Sequence, residues 1–195
     1  MLTPSSATIA ETARLLLNGG VAVIPTDTVY GIAAHPSCPE AVARIQMIKG
    51  RPHNKPIALL AATATATRDF GATFPAVAER LAEAFWPGAL TLVLPCGDLW
   101  EGFRVPAHDF TRSLLSACGG VLRVTSANLS GAMPATCAVA ALQDVGLEAD
   151  LVIDDGFSPG GVASTVVKIG PADTYEILRE GAISCHSLMQ VATHV

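Results

Sequence analysis

Several features that mark common protein classes are missing from this 195-residue sequence. Half of it is hydrophobic, yet no uncharged apolar run approaches the roughly 20 residues that a membrane helix needs, so we expect no membrane span. Residues 1–10 lack a cationic start followed by an apolar core, which predicts no signal peptide. The five cysteines are scattered and contain no Cys-x-x-Cys pair, so neither a zinc site nor a disulfide framework is indicated. We therefore expect buried or idle thiols in a reducing cytoplasm.

The best-known short motifs of nucleotide and nucleophile sites are missing as well. The sequence has no Gly-x-x-x-x-Gly-Lys-Ser/Thr phosphate loop and no Gly-x-Gly-x-x-Gly after a predicted strand. It has no Gly-x-Ser-x-Gly nucleophile elbow, and its five histidines lack metal-ligand spacing. If the protein binds a nucleotide, it does so by other means.

Charge is scarce and unevenly placed. The formal net charge of −5 argues against non-specific nucleic-acid binding over the whole surface. Residues 41–67, however, contain no acidic side chain and hold two of the three lysines, Lys49 and Lys55, together with Arg44 and Arg51. An acid-free cationic segment in an acidic protein favours a local site for an anionic ligand.

Apolar periodicity and turn residues predict helices that alternate with strands. Helices are predicted at residues 5–18, 39–50, 75–86, 110–118 and 136–145. Strands are predicted at residues 21–24, 57–60, 90–94, 103–106, 121–124 and 151–153, and an antiparallel pair at 164–167 and 175–178. Residues 31–38 are predicted as a loop and those from Arg179 onward as a short tail, which includes His186 and His194. The pattern predicts one α/β domain over residues 1–195 with a mixed sheet.

Polar clusters lie beside the predicted strands. They are residues 26–30, 49–55, 104, 125–130 and 158–165, with Arg179 just after the last strand. Polar residues at the mouth of a buried strand lie where open α/β sheets bind ligands. Taken singly, each cluster also fits an ordinary structural role such as a turn, a helix cap or a surface ion pair.

Taken together and in this order, the clusters resemble the YrdC family of threonylcarbamoyl-AMP synthases. The resemblance extends over residues 20–183, nearly the whole chain. It rests on Pro-Thr-Asp-Thr-Val-Tyr-Gly from residue 25, Lys-Gly-Arg-Pro-x-x-Lys-Pro from 49, Trp-Pro-Gly-x-Leu-Thr-Leu from 86, Arg-Val-Pro from 104, Ser-Ala-Asn-x-Ser-Gly from 126, Ser-Thr-Val-Val from 164 and Leu-Arg-x-Gly-Ala-Ile from 178. One such motif is weak evidence, whereas seven in the family order are a strong signal.

The resemblance implies both a fold and a reaction. The fold would be an open, twisted mixed sheet with flanking helices and a concave, positively charged cavity. L-threonine and bicarbonate (or CO2) would form N-carboxy-threonine, whose carboxylate would attack the α-phosphate of ATP. Pyrophosphate and threonylcarbamoyl-AMP would result, and a partner tRNA threonylcarbamoyl transferase would then modify an adenosine beside the anticodon. Mg2+ would arrive with ATP, bound by phosphate oxygens and water rather than by the protein.

The resemblance also assigns residues to the two substrates, and no side chain is assigned as a catalytic acid, base or nucleophile. The residues implied in threonine binding are Thr28, Arg104 and Ser164. Those implied in ATP binding are Lys49, Arg51, Lys55, Ser126, Asn128 and Arg179. The chain departs from many relatives at Ala163, where they have proline, and at Lys168, where they have an acid.

Two other functions stay open from the sequence. One is an RNA-binding module without catalysis, although the two tryptophans, two tyrosines and six phenylalanines offer few rings for stacking. The other is a carbamoyl-adenylate-forming relative that starts from carbamoyl phosphate. Relatives of that type carry zinc-binding cysteine pairs, which this chain lacks, so we rank it below the synthase. The length leaves no room for the extra domain of longer family members, and we expect a stand-alone cytoplasmic form with its motifs in residues 5–184.

Overall fold

Seven α-helices and nine strands form the fold in the computed structural model, which describes residues 1–51 and 55–193. Within these residues, no helix is long and apolar enough to cross a bilayer. The helices are α1 (Ser6–Leu17), α2 (Pro39–Ile48), α3 (Ala64–Asp69), α4 (Ala76–Phe85), α5 (Asp109–Ala117), α6 (Ala138–Ala141) and α7 (Cys185–Thr193). The strands are β1 (Ala22–Ile24), β2 (Gly31–Ala34), β3 (Leu59–Ala61), β4 (Leu90–Cys96), β5 (Leu99–Arg104), β6 (Val121–Ser126), β7 (Leu151–Val152), β8 (Thr165–Ile169) and β9 (Tyr175–Arg179).

These nine strands make a single mixed sheet in the order β7-β1-β2-β6-β3-β5-β4-β8-β9. Neighbours run parallel at β7–β1, β3–β5 and β4–β8. They run antiparallel at β1–β2, β2–β6, β3–β6, β4–β5 and β8–β9. The predicted α/β class, the mixed sheet and the antiparallel pairing near the end of the chain are confirmed.

The β7-β1-β2 side of the sheet is covered by helices on both faces. Successive side chains of a strand point to opposite faces, and in β1 Val23 packs with residues of α2 and α6. Ala22 and Ile24 pack on the other face with residues of α1 and α5. All three are fully buried, which explains why this strand is a continuous apolar run rather than an alternating one.

On the side of the sheet formed by β4, β8 and β9, the described helices cover one face only, and these helices are α4 and α7. In β4, Leu90 and Leu92 point into that core and are fully buried. Thr91 and Val93 point to the other face and line a cavity. The alternation along β4 therefore separates the core from the cavity floor.

The prediction of a loop after Gly31 is wrong, because residues 31–34 form β2. This strand pairs with both β1 and β6, so it is a central strand. Its Gly-Ile-Ala-Ala sequence has low β-propensity, and its pairing partners, rather than its own composition, fix its conformation. Gly31 also permits the close packing here, because a Cβ at this position would lie 2.5 Å from Cγ1 of Val124.

The prediction of a tail from Arg179 is also wrong, because β9 runs to Arg179 and α7 follows it. The Ser184 hydroxyl accepts a hydrogen bond from the N–H of Ser187 at 3.2 Å and so stabilises the start of α7. Leu188 and Ala192 are buried against α4 and the sheet. His186 is part of this helix, whereas His194 lies outside the described residues.

Three further elements differ clearly from the sequence prediction. Strand β5 begins at Leu99 rather than at 103, which adds Trp100 and Gly102 to the sheet. The helix predicted at 136–145 is the four-residue α6 continued by a π-helical turn, Leu142–Gly146. The short helix α3 was not predicted, although the Thr63 hydroxyl caps it by accepting the Ala66 N–H at 3.1 Å.

We expect Leu188→Ala to destabilise the fold by about 2–4 kcal/mol, because it leaves a cavity in a core that α7 helps to enclose. Urea unfolding followed by circular dichroism would measure this change. The same substitution at Leu147, whose side chain is 82% exposed, serves as the control and should change the free energy of unfolding by less than about 0.5 kcal/mol. Equal midpoints for the two variants would contradict the packing of α7.

Candidate active site

A cavity of about 390 Å3 lies on the face of the sheet that α4 and α7 leave uncovered. The turn after β1, the segment after α2, and the end of β6 form its walls. Its polar uncharged lining includes six serine and threonine residues: Thr26, Thr28, Thr91, Thr125, Ser126 and Ser164. Its charged lining consists of Arg51, Lys55, Arg104 and Arg179, with no carboxylate among the described lining residues. A cavity with this lining favours an anionic occupant.

The turn after β1 is fixed by its own side chains. The Thr26 hydroxyl donates to the carbonyl of Val29 at 2.6 Å and accepts the backbone N–H of Thr28 at 3.2 Å. The carbonyl of Pro25 accepts a hydrogen bond from the Thr111 hydroxyl at 2.7 Å, which ties the turn to α5. These contacts satisfy buried polar groups and hold Thr28, which is 1% exposed, in the cavity wall.

Arg104 joins β5 to this turn. Its Nε donates to the carbonyl of Gly88 at 2.9 Å, Nη1 to the Thr28 hydroxyl at 2.7 Å, and Nη2 to the Asp27 carboxylate. Both ends of the ion pair are buried, with side-chain exposures of 7% for Arg104 and 11% for Asp27. Burial lowers the pKa of Arg104, whereas the charge of Asp27 raises it. The guanidinium is therefore held in one orientation at one end of the cavity.

Ser164 and Arg179 also line the cavity, next to strand β4. The Ser164 hydroxyl lies 2.9 Å from the hydroxyl of Thr91, and the Ser164 carbonyl accepts a hydrogen bond from Arg179 Nη2 at 2.7 Å. The chain beyond β9 returns close to this point, since a Cβ on Gly181 would lie 2.2 Å from the carbonyl oxygen of Ala163. Arg179 is exposed at the cavity rim, and partial burial lowers its pKa.

Arg51 and Lys55 flank the cavity next to Pro56. Arg51 donates through Nε to the carbonyl of Lys55 at 3.3 Å and through Nη2 to that of Pro56 at 3.0 Å. Burial lowers the pKa of Arg51, and the charge of Arg179 lowers it further. Among the described residues, none of these three cations has an acidic ion-pair partner, so their charges remain available to a ligand. Residues 52–54 of the predicted cationic loop lie outside the described residues.

Lys49 lies beside the cavity rather than in its lining. It is 3% exposed, and its ammonium donates hydrogen bonds to the carbonyls of Ser126 and Asn128. Its own backbone carbonyl accepts the N–H of Ser130 at 2.9 Å. Lys49 thus anchors the loop after β6, and its assignment as an ATP ligand stays a prediction.

Asn128 also shapes this loop from outside the lining. Its side-chain amide donates to the carbonyls of Leu129 and Ala132, both at 2.9 Å. Its Oδ1 is buried and has no hydrogen-bond partner among the described residues. Ser126, in contrast, lines the cavity. The structure therefore brings seven of the nine predicted residues to one cavity and places Lys49 and Asn128 directly behind it.

Several residues of the site were given no role in the sequence analysis, among them Asp27, Thr91 and Tyr30. Asp27 orients Arg104, and its signal was its position inside the first quoted motif. Thr91 interrupts the apolar residues of β4, which marks it as facing the other side of the strand. Tyr30 is fully buried and lines the cavity, and its hydroxyl donates to the carbonyl of Gly156 at 2.8 Å while accepting the N–H of Asp155 at 3.0 Å. Burial raises the pKa of Tyr30.

Comparison with known families places the chain in one of them. The family model Sua5_yciO_yrdC, described as "Telomere recombination", matches residues 14–181. The chain belongs to this family. The predicted family resemblance is confirmed, and the match covers every strand of the sheet and the whole cavity lining.

Relatives within the family agree in sequence and in fold. The threonylcarbamoyl-AMP synthase of Bacillus subtilis is 34% identical over 194 residues, which cover 94% of this chain and 56% of that protein. The crystal structure of Pyrococcus abyssi Sua5 with L-threonine superposes with a TM-score of 0.91 at 29% identity, covering 97% of this chain and 60% of that one. Escherichia coli YciO superposes with a TM-score of 0.83 at 25% identity, covering 92% of this chain and 93% of that one. The chain thus spans a little over half the length of the first two proteins.

The environment of Lys49 predicts a pH-dependent contribution to stability. Burial lowers the pKa of Lys49 from 10.5 to about 8. Between these values the unfolded chain holds a proton that the folded chain has released, so the free energy of unfolding rises with pH. Relative to Lys49→Met, the native chain should gain about 2 kcal/mol between pH 7.5 and pH 10.

Urea unfolding of both chains at several pH values would measure this difference. Lys55→Met, which removes the same charge from an exposed position, is the matched control. Parallel stability profiles for the native chain and Lys49→Met would contradict the buried environment of Lys49.

Proposed function

We propose that this cavity forms threonylcarbamoyl-AMP and pyrophosphate from L-threonine, bicarbonate and ATP. The observation that carries the proposal is the convergence in one cavity of an oriented, buried Arg104 and three cations that have no acidic partner among the described residues. The 34% identity to the synthase of Bacillus subtilis supports it, as does the similarity to Pyrococcus abyssi Sua5, whose crystal structure contains L-threonine.

Arg104 and Thr28 suit the binding of threonine. A guanidinium has five N–H donors, and the contacts with Gly88, Thr28 and Asp27 use three of them. One N–H on each terminal nitrogen remains for the carboxylate of an amino acid. Two such coplanar donors match the two oxygens of a planar carboxylate. The Thr28 hydroxyl would meet a polar group of the substrate, and Ser164 would complete the pocket.

Arg51, Lys55 and Arg179 suit the binding of the triphosphate. In the proposed reaction, an oxygen of the N-carboxy group of threonine forms a bond to the α-phosphorus of ATP. The bond from that phosphorus to the β-bridging oxygen breaks, and pyrophosphate leaves with the electron pair. Both reactants are anions, so the protein must neutralise charge and align them, and it need not supply a nucleophile. Ser126 would add an uncharged donor from the loop that Lys49 and Asn128 hold in place.

The metal in this proposal belongs to the substrate. Mg2+ prefers oxygen ligands and keeps several waters, and no carboxylate lines the described cavity. The chain would therefore bind MgATP, with the metal held by phosphate oxygens and water.

The product defines the partner that the reaction requires. An acyl-adenylate-like anhydride is a donor of its acyl group, so a transferase must take up the threonylcarbamoyl group and release AMP. We propose a tRNA threonylcarbamoyl transferase acting in the cytoplasm as this partner. Direct contact of this chain with RNA is not required for that step.

The reaction itself is the first test. The native chain should release pyrophosphate from MgATP and bicarbonate only when L-threonine is present. Arg51→Ala should lower kcat/KM by roughly 10- to 100-fold, because one charged donor to the triphosphate is lost. Arg14→Ala, an exposed change on α1 away from the cavity lining, should leave the rate unchanged.

A colorimetric assay of pyrophosphate separates the alternatives. Release that needs carbamoyl phosphate instead of threonine and bicarbonate would favour a carbamoyl-adenylate-forming enzyme. No release from a folded chain that binds RNA would favour a binding module without catalysis.

Arg104 offers a second test, which concerns threonine alone. Arg104→Lys keeps the charge but cannot contact Gly88, Thr28, Asp27 and a carboxylate at once. The KM for L-threonine should therefore rise by about 10-fold or more, while the KM for ATP should change by less than about threefold. Equal increases in both KM values would contradict the placement of threonine at Arg104.

A further inference from the structure

One tryptophan is exposed in the cavity wall, and neither proposed substrate has yet been placed against it. Trp100 lines the cavity and keeps 41% of its surface exposed. The chain has two tryptophans, and Trp100 is the exposed one. The other, Trp86, is partly buried against the core on the α4 side, where its Nε1 donates to the carbonyl of Leu90 at 2.7 Å.

Trp100 and Arg104 mark opposite ends of the cavity floor. Trp100, Gly102 and Arg104 alternate along β5, and all three line the cavity, so they share one face of the strand. Four residues of a strand span roughly 13 Å. Gly102 keeps the floor between them low, because a Cβ there would lie 3.3 Å from Cβ of Ala58.

Arg51, one of the proposed phosphate-binding cations, lies beside the Trp100 end, whereas the strand register places Arg179 level with the Arg104 end. Strand β3 runs parallel to β5 and pairs Leu59 with Phe103, so the residues just before Leu59 run beside the start of β5. Pro56 belongs to this segment, and Arg51 donates to its carbonyl. A ligand with its carboxylate at Arg104 and its phosphates near Arg51 would therefore extend toward Trp100.

Lys168 holds the indole in place. Its ammonium lies 5.1 Å from the centroid of the Trp100 ring, within the range of a cation–π contact. The two side chains come from different strands, β8 and β5, and Val93 of β4 is the register partner of both Lys168 and Gly102. An aromatic side chain fixed in this way loses little freedom when a flat ligand stacks on it.

We propose that Trp100 is the surface on which the base of the nucleotide stacks, with Lys168 as its positioning residue. This inference rests on the proposed function, since it takes the occupant to be ATP and its adenylate product. Every nucleobase has a π-face, and stacking on an aromatic ring is a strong, charge-independent contribution to nucleotide binding. Trp100 thereby sets the distance between the base and the threonine end of the cavity.

Intrinsic fluorescence tests the stacking directly. In Trp86→Phe, Trp100 is the only tryptophan, and its emission should be quenched in a saturable manner by ATP. Inorganic tripolyphosphate, which has similar charge and no base, should not quench it. In Trp100→Phe, which keeps Trp86, ATP should cause no change in emission. Quenching by tripolyphosphate equal to that by ATP would overturn the inference, because charge alone would then explain the signal.

Binding measured by calorimetry gives an independent test. Trp100→Ala should raise the Kd for ATP by about 10-fold or more and leave the Kd for tripolyphosphate within about twofold, which also shows that the cavity is intact. Trp100→Phe should stay within about threefold of the native chain for ATP, and Lys168→Met should show a smaller effect than Trp100→Ala. An unchanged Kd for ATP in Trp100→Ala, or a native chain that binds no ATP, would overturn the inference.

These outcomes separate the inference from the proposed function. ATP-specific quenching without threonine-dependent pyrophosphate release would support Trp100 as a base-stacking surface and contradict the synthase activity. Threonine-dependent release of pyrophosphate, together with an affinity for ATP that Trp100→Ala leaves unchanged, would support the synthase activity. The same result would contradict Trp100 as a base-stacking surface.

Discussion

One buried guanidinium, that of Arg104, links strand β5 to the turn after β1. Arg104 extends from β5 to the turn after β1 and meets Asp27, Thr28 and the carbonyl of Gly88 in a nearly dry environment. Removing one partner of a buried ion pair leaves an uncompensated charge, which costs about 3–5 kcal/mol. This end of the cavity is therefore held by an interaction that is costly to disturb, and the two remaining N–H donors of Arg104 keep a fixed direction.

Helices cover the two sides of the sheet unequally, and this leaves room for the cavity that Arg104 bounds at one end. Helices pack on both faces of the β7-β1-β2 side and on one face of the strands around β4, so one face there remains for a ligand. Although the chain carries a net charge of −5, the described lining of that face carries four cations and no carboxylate. Such a surface favours anions locally, even though the net charge of the whole chain is negative.

The sequence predicted the parts of this structure that depend on local patterns. The apolar runs located most of the strands, and the acid-free segment with Arg51 and Lys55 located one wall of the cavity. Strand β2 was missed because its Gly-Ile-Ala-Ala sequence is fixed by pairing on both sides, which no local pattern reports. Trp100 was missed because the strand was predicted at residues 103–106, whereas β5 begins at Leu99. Lys49 turns behind the cavity and donates to the carbonyls of Ser126 and Asn128. These contacts join residues about 80 positions apart in the sequence, and the spacing within a short motif does not predict them.

The proposed reaction requires one cavity to hold threonine and the nucleotide together. The most direct measurement is a crystal structure of the chain with L-threonine and a non-hydrolysable analogue of MgATP. We predict that the threonine carboxylate will lie within hydrogen-bonding distance of Arg104 and the phosphates among Arg51, Lys55 and Arg179. Threonine or the nucleotide bound outside this cavity, with the site otherwise folded as described, would contradict it.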